Sequence, residues 1–433
     1  MSCRSRLRIR GECACDRHRQ RPSLAAVHHG SVPVTTSGTD LLDKLRAVES
    51  RRAVFASASA RPGETVVQRV LGPGEVTING RPTLMFGSNN YLGLTLHPSV
   101  LAAARDALFE YGTGTTGSRT ANGTLSLHED LERQLADWFQ KRHAVVFSTG
   151  YQANLSLIGG LCGADDTIVI DADCHASIYD ATRHTASQVV AFRHNSPDSL
   201  RRKLKRLPER QRNRLVVVEG LYSVRGDVAP LADIVDLCRT YGAYLLVDEA
   251  HSLGTFGPNG LGCAEAQGVL RQVDFIVGTF SKSLASVGGV CVSDHAELSA
   301  LHFLARAYVF TASGSPATLA GVGAAVRVIR EHPEIRHRLW ANIRRFRQGL
   351  QACGYQIGST ESPIVPIFIG DEERTIALWQ ELLAEGVYVN LIVPPGCPRD
   401  ECVLRASCSA AHTVEHIARA LETFERVRMG VPA

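Results

Sequence analysis

The sequence lacks any apolar run long enough to cross a lipid bilayer. Its hydrophobic stretches fall short of the ~18 residues that a membrane span requires, and it has no signal-peptide hydrophobic core. The 433 residues carry a formal net charge of only +4, without an aromatic-basic patch or a zinc-finger spacing. This mild positive charge would suit an acidic thioester carrier but does not select one. We therefore expect a cytoplasmic protein that does not bind nucleic acid.

The cysteines lack a pattern. Twelve are scattered along the chain without the spacing of a disulfide framework, and several stand in apolar segments. Buried free thiols in a reducing cytosol are the expected state of such residues. A Cys-x-Cys pair near the N-terminus stands close to histidines and could bind a metal, but no second pair follows at a zinc-site spacing: Cys3, Cys13, Cys15, His18, His28 and His29. We therefore predict no metal site.

Four regions differ in their patterns. Residues 1–38 are arginine-rich without apolar periodicity, which favours a disordered or misassigned leader; Glu12 and Asp16 count against a transit peptide. Residues 39–97 contain a predicted helix over 41–52 and then an extended segment that runs to residue 85. Residues 98–330 form a predicted large, cofactor-binding domain, and residues 331–433 a predicted smaller domain.

The large domain alternates short apolar runs with amphipathic segments. The runs cover residues 144–147, 167–170, 189–192, 215–218, 244–247 and 275–277. Short buried strands separated by helices predict a mostly parallel sheet, whose ligands bind beyond the carboxyl ends of the strands. In the smaller domain we predict helices over 335–353, 373–385 and 414–428, and strands over 364–369 and 403–407. The predicted fold class is α/β, with a mostly parallel central sheet and a smaller C-terminal α/β domain.

One segment places a lysine where its amine can become a nucleophile: Val277-Gly278-Thr279-Phe280-Ser281-Lys282-Ser283. It continues the apolar run over residues 273–277, which indicates a buried strand. Burial disfavours the charged form of an amine and lowers its pKa, as a lysine that forms a Schiff base with an aldehyde requires. A surface lysine in a polar turn is the alternative interpretation of this segment taken alone.

A carboxylate stands at the end of another predicted strand, upstream of Lys282 in the sequence. The run Leu245-Leu246-Val247-Asp248-Glu249-Ala250-His251 has a buried-strand pattern that ends at Asp248, and Lys282 follows 34 residues later. Pyridoxal phosphate enzymes use such an aspartate to keep the pyridine nitrogen protonated, so that the ring accepts electrons. An aspartate and a lysine at two strand ends therefore favour a pyridoxal phosphate site.

Three further strand ends carry polar groups. Residues 148–154 open a helix whose first N–H groups, near Gly150, could bind a phosphate. Residues 173–177 bring His175, which could stack on a ring, and residues 219–223 bring the hydroxyl of Ser223. Each has an ordinary alternative: a helix start, a loop histidine and a turn serine. Because parallel strands end at one edge of a sheet, we expect these groups to meet Asp248, His251, Thr279 and Lys282.

Longer motifs surround these positions. They are Asn89-Asn90-Tyr91-Leu92-Gly93-Leu94, Gly112-Thr113-Gly114, Gly117-Ser118-Arg119, Asp248-Glu249-Ala250-His251 and Thr279-Phe280-Ser281-Lys282-Ser283, supported by residues 171–180, Phe192-Arg193-His194-Asn195-Ser196 and residues 308–313. In these motifs, and over residues 41–424, the chain resembles the α-oxoamine synthases. These are fold-type I pyridoxal phosphate enzymes that condense an amino acid with an acyl thioester and release carbon dioxide. The chain is most similar to the bacterial members that join serine to a palmitoyl thioester.

The resemblance implies that pyridoxal 5'-phosphate is the cofactor and that three residues are catalytic. Lys282 forms the Schiff base with the cofactor and moves protons at the α-carbon of the amino acid. Asp248 pairs with the ring nitrogen. His175 stacks on the ring and could hydrogen-bond the substrate carboxylate.

The resemblance also implies the remaining contacts. The cofactor contacts besides the catalytic three are Gly150, Tyr151 and Thr279 around the phosphate, Ser223 and His251 on the phenolic-oxygen side of the ring, and Thr311. Thr311 is implied to reach the phosphate in the neighbouring subunit of a homodimer. The implied substrate-binding residues are Asn90 and Arg405, and an arginine meets a carboxylate through two parallel hydrogen bonds.

The implied function is an acyltransferase reaction that belongs to sphingolipid metabolism. A small amino acid, with serine favoured, condenses with an acyl-CoA or an acyl carrier protein thioester and loses carbon dioxide to give an α-amino ketone. The alternatives are the 8-amino-7-oxononanoate synthase reaction, the 2-amino-3-ketobutyrate CoA ligase reaction and a pyridoxal phosphate aminotransferase or lyase. A non-catalytic partner subunit is disfavoured by the presence of both Lys282 and Asp248.

The chain departs from its serine-specific relatives in the substrate loop. Those relatives carry an arginine directly before a Pro-Pro pair, where this chain has Val393 before Pro394 and Pro395. Gly396 and Cys397 replace an alanine and a threonine. Residues 314–316 read Gly-Ser-Pro where the relatives have Leu-Pro-Pro. These departures leave the catalytic residues intact, so the resemblance implies the reaction more strongly than it implies serine and a palmitoyl group as the substrates.

We predict that a chain without residues 1–38 folds and keeps its activity, because this segment has neither apolar periodicity nor a motif of the family. Solubility, cofactor content and turnover of the truncated and full-length chains test this. A truncated chain that binds cofactor but has lost turnover would contradict the prediction.

Overall fold

The structure, a computed structural model, describes residues 40–43, 45–46, 49, 63–208, 213–394, 396–397 and 400–430. The predicted leader over residues 1–38 and most of the predicted helix over 41–52 lie outside the described residues. No helix within the described ranges is long and apolar enough to cross a membrane.

The described strands and helices alternate along most of the chain. The strands are β1 Val67–Gly72, β2 Glu75–Ile78, β3 Arg81–Met85, β4 His143–Phe147, β5 Thr167–Asp171, β6 Gln188–Phe192, β7 Arg214–Glu219, β8 Tyr244–Asp248, β9 Phe275–Thr279, β10 Gly289–Ser293, β11 Gln356–Ile357, β12 Ile364–Gly370, β13 Val387–Tyr388, β14 Asn390–Ile392 and β15 Cys402–Ser407. The α-helices are α1 Pro98–Tyr111, α2 Ser126–Phe139, α3 Gly150–Leu161, α4 Ala176–Arg183, α5 Pro197–Arg206, α6 Leu231–Tyr241, α7 Cys263–Ala266, α8 Leu301–Leu304, α9 Arg306–Val309, α10 Pro316–Glu331, α11 Pro333–Ala352, α12 Glu372–Ala384 and α13 Val414–Gly430.

The central sheet has seven strands in the order β4-β10-β9-β8-β7-β5-β6. The adjacent strands β9, β8, β7, β5 and β6 pair in parallel. Strand β10 runs antiparallel to both of its neighbours, β9 and β4. The six strands predicted for this region are confirmed as β4 to β9, and so is the mostly parallel α/β fold. Strand β10, which has five residues and follows the lysine segment, was not predicted from the sequence.

Both faces of the central sheet are buried. In β7, Val216 and Val218 belong to one hydrophobic core, and Leu215 and Val217 belong to the core on the other face. Burying each such side chain is worth about 1.5–3 kcal/mol. Strands that are buried on both faces appear in the sequence as continuous runs of Val, Ile and Leu, which is why the parallel strands could be predicted.

Two helices begin at capping side chains on the carboxyl side of the sheet. The side chain of Thr149 accepts a hydrogen bond from the Gln152 N–H at the start of α3. The side chain of His175 accepts one from the Ser177 N–H at the start of α4. Such caps satisfy N–H groups that the first turn of a helix leaves without partners. The strand-to-helix turns that cap these helices therefore also line the carboxyl edge of the sheet.

The C-terminal part forms a second sheet in the order β11-β12-β15-β14, and β13 joins β1, β2 and β3 in a third. The predicted elements of this part agree with α11, α12, α13, β12 and β15 within two residues. The segment before α1 lies along β15, since Ser407 N donates to Phe86 O at 2.6 Å and Ala410 N donates to Tyr91 O at 2.7 Å. These bonds bring the Asn89–Tyr91 motif beside Arg405.

Candidate active site

A cavity of about 550 Å³ opens at the carboxyl edge of the central sheet. Residues that follow β5, β7 and β9 line it, including His175, Ser223 and Lys282, together with Asp248 at the end of β8. Helix α3 borders the cavity through its first turn, and strands β14 and β15 contribute from the second sheet. Ligands of parallel sheets bind at this edge, so the cavity is the candidate active site.

Nine of the eleven predicted site residues line the cavity: Gly150, Tyr151, His175, Ser223, Asp248, His251, Thr279, Lys282 and Arg405. Asn90 lies behind it and donates from Nδ2 to Thr95 Oγ1 at 2.9 Å, while Asn89 lines the cavity instead. Thr311 accepts a hydrogen bond from Gln152 Nε2 at 3.3 Å and lines a separate small cavity. The contact of Thr311 with a neighbouring subunit stays a prediction.

Lys282 follows β9 and lines the cavity. Burial lowers the pKa of Lys282 to about 8, because a charged amine loses the solvation that water provides. The carboxylates of Asp248 and Glu219 raise this pKa again, and the guanidinium of Arg405 lowers it. A substantial fraction of the amine is thus neutral, and therefore nucleophilic, at neutral to mildly alkaline pH.

Both carboxylate oxygens of Asp248 accept hydrogen bonds from neutral donors. Asn154 Nδ2 donates to Oδ2 at 2.7 Å, and the Ala250 N–H donates to Oδ1 at 2.9 Å. Asn154 lies on α3, 94 residues before Asp248, and its own Oδ1 is buried without a partner among the described residues. Asn154 was not predicted as a site residue from the sequence, although an asparagine one turn into a helix that could bind a phosphate is a usable signal.

The hydrogen bonds around His175 determine the position of its proton. The Ser177 N–H donates to His175 Nδ1 at 3.2 Å, so Nδ1 is an acceptor. The hydroxyl of Ser177 has two further contacts. Its Oγ accepts a hydrogen bond from Asn154 Nδ2 at 3.0 Å and lies 2.8 Å from His175 Nδ1. The neutral ring therefore carries its proton on Nε2. Ser177 connects His175 with Asn154, and through Asn154 with Asp248.

Glu219 is a second residue of the cavity that was not predicted from the sequence. Its buried Oε1 accepts a hydrogen bond from the His175 N–H at 2.5 Å, and the residue lines the cavity. Burial raises the pKa of Glu219 well above its ordinary value, and Asp248 raises it further. Glu219 therefore fixes the backbone of the His175 turn.

The first turn of α3 packs against strands β9 and β10 with no room for an additional carbon atom. A Cβ on Gly150 would come within 2.8 Å of Thr279 Cβ and Oγ1, and one on Gly289 within 2.6 Å of Gly150 Cα. The Thr279 hydroxyl lies 2.9 Å from Ser281 Oγ at the same place. The backbone N–H groups of a helix start, with hydroxyls beside them, form a ready anion site.

Arg405 reaches the cavity from β15 and is held by neutral groups. Its Nε donates to Ser223 O at 2.5 Å, Nη1 to Ser407 Oγ at 3.1 Å and Nη2 to Asn89 Oδ1 at 3.1 Å. Burial lowers the pKa of His251, and the positive charges of Lys282 and Arg405 lower it further. The His251 ring is therefore neutral. His251 Nδ1 lies 2.8 Å from Tyr91 Oη.

The segment after β14 presents a mostly apolar surface. Asn390 and Ile392 line the cavity. Val393, which stands where serine-specific relatives have an arginine, packs with Ile392 against the buried thiols of Cys397 and Cys402. Among the described residues around this cavity, Arg405 is thus the cation available for a substrate carboxylate.

The residues of the cavity fit the pyridoxal phosphate that the family resemblance implies. The neutral form of the Lys282 amine can react with an aldehyde, and the Asp248 carboxylate can pair with a protonated ring nitrogen. Gly150 packs against Thr279 with no room for a side chain, and the helix start that they form at the cavity is suited to a phosphate. The donors and acceptors of the cavity are therefore those that this cofactor needs.

Comparisons with known proteins identify the family and the fold of the chain. The family model for class I and II aminotransferases matches residues 81–424. A serine palmitoyltransferase of Caulobacter vibrioides is 48% identical over 387 residues, which cover 89% of this chain and 96% of the relative. A protein of Desulforudis audaxviator, named provisionally as an 8-amino-7-oxononanoate synthase, is 41% identical over 378 residues, covering 87% and 95%. A solved structure of a serine palmitoyltransferase with pyridoxal phosphate superposes with a TM-score of 0.88 at 42% identity, covering 90% of this chain and 99% of that one.

We predict that the Lys282 amine titrates near pH 8. The rate at which the protein acquires the absorbance of a pyridoxal phosphate Schiff base should rise through that pH, because only the neutral amine attacks an aldehyde. Asp248→Asn should shift the rise to lower pH, since the Asp248 carboxylate raises the amine's pKa.

Lys141 offers a matched control, because it is also a buried lysine but is ion-paired with Asp294 at 2.9 Å. Lys141→Met should keep the absorbance band, and Lys282→Ala should lose it. A rise in rate that begins only near pH 10 would contradict the predicted titration.

Proposed function

We propose that this chain, which belongs to the α-oxoamine synthases within the class I and II aminotransferase family, condenses serine with a long-chain acyl thioester. The enzyme is a pyridoxal phosphate-dependent acyltransferase, similar to the bacterial serine palmitoyltransferases. The observation that carries the proposal is the meeting of Lys282, Asp248 and Arg405 in one cavity. They supply an amine for an aldehyde, a carboxylate for a ring nitrogen and a guanidinium for a substrate carboxylate.

The residues that line the cavity would hold pyridoxal phosphate at its phosphate and at its ring. We assign the phosphate to the start of α3 at Gly150 and Tyr151, with Thr279 beside them. We assign the ring to the space between His175 and Asp248, with Ser223 and His251 near its phenolic oxygen. When bound, the cofactor supplies a protonated ring that accepts the electron pair left at the α-carbon of the amino acid. Asp248 keeps that ring nitrogen protonated, because a buried carboxylate stabilises a positive charge beside it.

Arg405 binds the carboxylate of the amino acid. Its guanidinium is buried and already oriented by Ser223, Ser407 and Asn89, so little side-chain entropy remains to be lost when the substrate binds. The proton on His175 Nε2 faces the same cavity and can donate to this carboxylate. A carboxylate held by two donors stays in place while the α-proton leaves first.

Lys282 moves the protons. Its pKa of about 8 lets Nζ accept a proton from the α-carbon and return it after decarboxylation. Glu219 raises this pKa and lines the same cavity, so it stabilises Nζ when the amine carries the proton. The carbanion equivalent at the α-carbon then attacks the thioester carbonyl, and the thiol of coenzyme A or of an acyl carrier protein leaves.

An apolar side of the cavity supports a long acyl chain as the second substrate. Val224, Val287 and Ile392 line the cavity together, and Val287 is 56% exposed. An exposed aliphatic side chain at a cavity mouth favours a ligand that covers it. The packing of Val393 against Cys397 and Cys402 extends this apolar surface along the substrate loop.

A second candidate is the 8-amino-7-oxononanoate synthase reaction, because the Desulforudis audaxviator relative, 41% identical to this chain, is named for that reaction. It uses the same residues for the cofactor and for the substrate carboxylate but a different amino acid and acyl group. The two reactions therefore differ in the amino acid side chain and in the acyl group that the cavity must accept.

Thiol release tests the proposed function. The holoenzyme is mixed with serine, alanine or glycine, each with palmitoyl-CoA or a short-chain acyl-CoA, and free coenzyme A is measured. We expect release with serine and palmitoyl-CoA to exceed the other combinations. Preference for alanine with a short acyl-CoA would favour the second candidate, and transamination without thiol release would contradict both.

We propose that the working enzyme is a homodimer in the cytoplasm. Large apolar side chains are exposed on the described chain near Thr311, among them Phe303 at 82% and Phe310 at 76%, and such surfaces favour burial against a partner. The nine described cysteines are free thiols, which supports a reducing compartment. Light scattering of the holoenzyme should give the mass of two chains, and an active monomer would contradict the proposal.

We predict that Arg405→Ala weakens serine binding and spares the cofactor. A charge-assisted hydrogen bond is worth roughly 1.5–3 kcal/mol, so the loss should be on the order of ten- to hundredfold in affinity. Titration of the cofactor absorbance with serine, glycine and alanine measures the effect. A variant that binds every amino acid as well as the wild type would disprove the carboxylate assignment.

Val393→Arg is the companion variant. It replaces apolar packing against Cys397 and Cys402 with a charge, so tighter serine binding would mean that the loop can supply a second cation. Weaker binding would support an apolar role for Val393.

A further inference from the structure

His194, which follows β6 within the Phe192-Arg193-His194-Asn195-Ser196 motif, lies between two carboxylates. Its Nδ1 is 2.9 Å from Asp171 Oδ1, and its Nε2 is 2.8 Å from Asp227 Oδ2. An ionised carboxylate only accepts hydrogen bonds, so both ring nitrogens must donate. The ring is therefore an imidazolium. Its side chain is 16% exposed, which shields these bonds from most of the solvent.

The charged groups around His194 support this protonation state. Burial by itself lowers the pKa of His194, but the hydrogen bonds to Asp171 and Asp227 outweigh it and raise the pKa to about 10. Asp173 adds a third carboxylate 3.9 Å from Nδ1, and Arg225 faces Asp173 at 3.5 Å. The ring thus neutralises part of a cluster of three aspartates.

Asp171, one of the two carboxylates that His194 contacts, shapes the turn that carries His175. Asp171 ends β5, and its Oδ1 also accepts the Asp173 N–H at 2.9 Å. Its Oδ2 accepts the Asn195 N–H at 2.8 Å, which ties the turn after β5 to the turn after β6. The next residues lead directly to His175, whose N–H is held by Glu219.

The Asp227 side shapes the loop that carries Ser223. The Tyr222 N–H donates to Asp227 O at 3.0 Å, and the Gly226 N–H donates to Tyr222 O at 3.0 Å, which closes residues 222–227 into a compact loop. Arg405 donates to Ser223 O within that loop. A shift of Asp227 would therefore displace Ser223 and the guanidinium that it holds.

We propose that His194 is a positioning residue, whose imidazolium fixes the His175 turn to the Ser223 loop and so sets both sides of the cofactor ring. The proposal rests on the roles assigned to His175 and Ser223 in the proposed function. His194 itself does not touch the cavity; it acts through Asp171 on one side and Asp227 on the other. Loss of its charge would leave carboxylates facing each other beneath the site.

The test compares the wild-type holoenzyme with His194→Gln, which is neutral and cannot donate to both carboxylates. We expect the visible circular dichroism of bound pyridoxal phosphate to change, because it reports the asymmetry of the ring's surroundings. We also expect kcat per bound cofactor to fall about tenfold or more. The dichroism needs no turnover, so it still tests His194 if the proposed reaction is wrong.

His295 provides the control. It pairs with Asp274 Oδ1 at 3.2 Å beside the opposite edge of the same sheet, where β9 begins. His295→Gln should leave the dichroism and kcat unchanged. If His194→Gln lowers only the melting temperature and keeps wild-type dichroism and kcat, the histidine is merely structural and the proposal fails.

A second variant covers the case in which His194→Gln does not fold. Asp227→Asn keeps the bond from His194 to Asp171 and weakens only the link to the Ser223 loop. We expect the same changes in dichroism and kcat in smaller measure. An Asp227→Asn holoenzyme that matches the wild type in both would overturn the proposal.

The pH dependence of stability tests the charge itself. The folded-state pKa of about 10 lies above the roughly 6.5 of an unfolded histidine. The stabilisation by His194 is therefore complete below about pH 6.5 and is lost as the pH rises through the folded value. The difference in melting temperature between the wild type and His194→Gln should be largest at pH 6 and shrink toward pH 10. A difference that does not change with pH would mean that the ring is not an imidazolium.

Discussion

The structure depends on burying an amine, two carboxylates and a guanidinium together at one edge of a sheet. Two buried ion pairs elsewhere in the described chain neutralise their charges directly: Arg119 forms a salt bridge with Glu132 at 2.9 Å, and Lys141 forms one with Asp294 at 2.9 Å. In the cavity, Asp248 is held by an amide and a backbone N–H, and Arg405 by a carbonyl, a hydroxyl and an amide. Neutral partners satisfy the hydrogen-bonding groups without cancelling the charges. The charges therefore remain available to a ligand, at the cost of their desolvation.

Because the charged groups of the cavity have neutral partners, further polar side chains behind the cavity hold those partners in place. Asn154 and Ser177 connect Asp248 to His175, and Glu219 holds the His175 backbone. Behind them, His194 joins the turns after β5 and β7. Each layer fixes the side chains in front of it, because a group displaced by a fraction of an ångström loses a hydrogen bond that water cannot replace. Rigid orientation of the reactive groups before substrate binds is the usual source of catalytic power in such sites.

The sequence predicted the residues whose position follows from strand ends, and missed those whose position depends on side-chain packing. Lys282, Asp248, His175 and Ser223 could be placed together because parallel strands end at one edge. Asn154 could not, since its partner lies 94 residues away and only the packing of α3 on the sheet brings them together. Strand β10 was missed because five residues after a turn carry little periodicity. Asn90 and Thr311 were assigned by resemblance, and in the described chain neither lines the cavity.

The contacts of Arg405 limit how a carboxylate can bind. A guanidinium has five N–H donors, and the bonds to Ser223, Ser407 and Asn89 use one on each nitrogen. A further contact to Tyr91 Oη at 3.4 Å shares the Nη2 side. A substrate carboxylate can therefore take the remaining donor of Nη1 directly, whereas a bidentate contact requires Asn89 or Tyr91 to give up Nη2. Because Tyr91 also contacts His251, carboxylate binding would be transmitted to the ring side of the cofactor. The proposed carboxylate site and the proposed ring side of the cofactor thus share one buried contact residue, Tyr91.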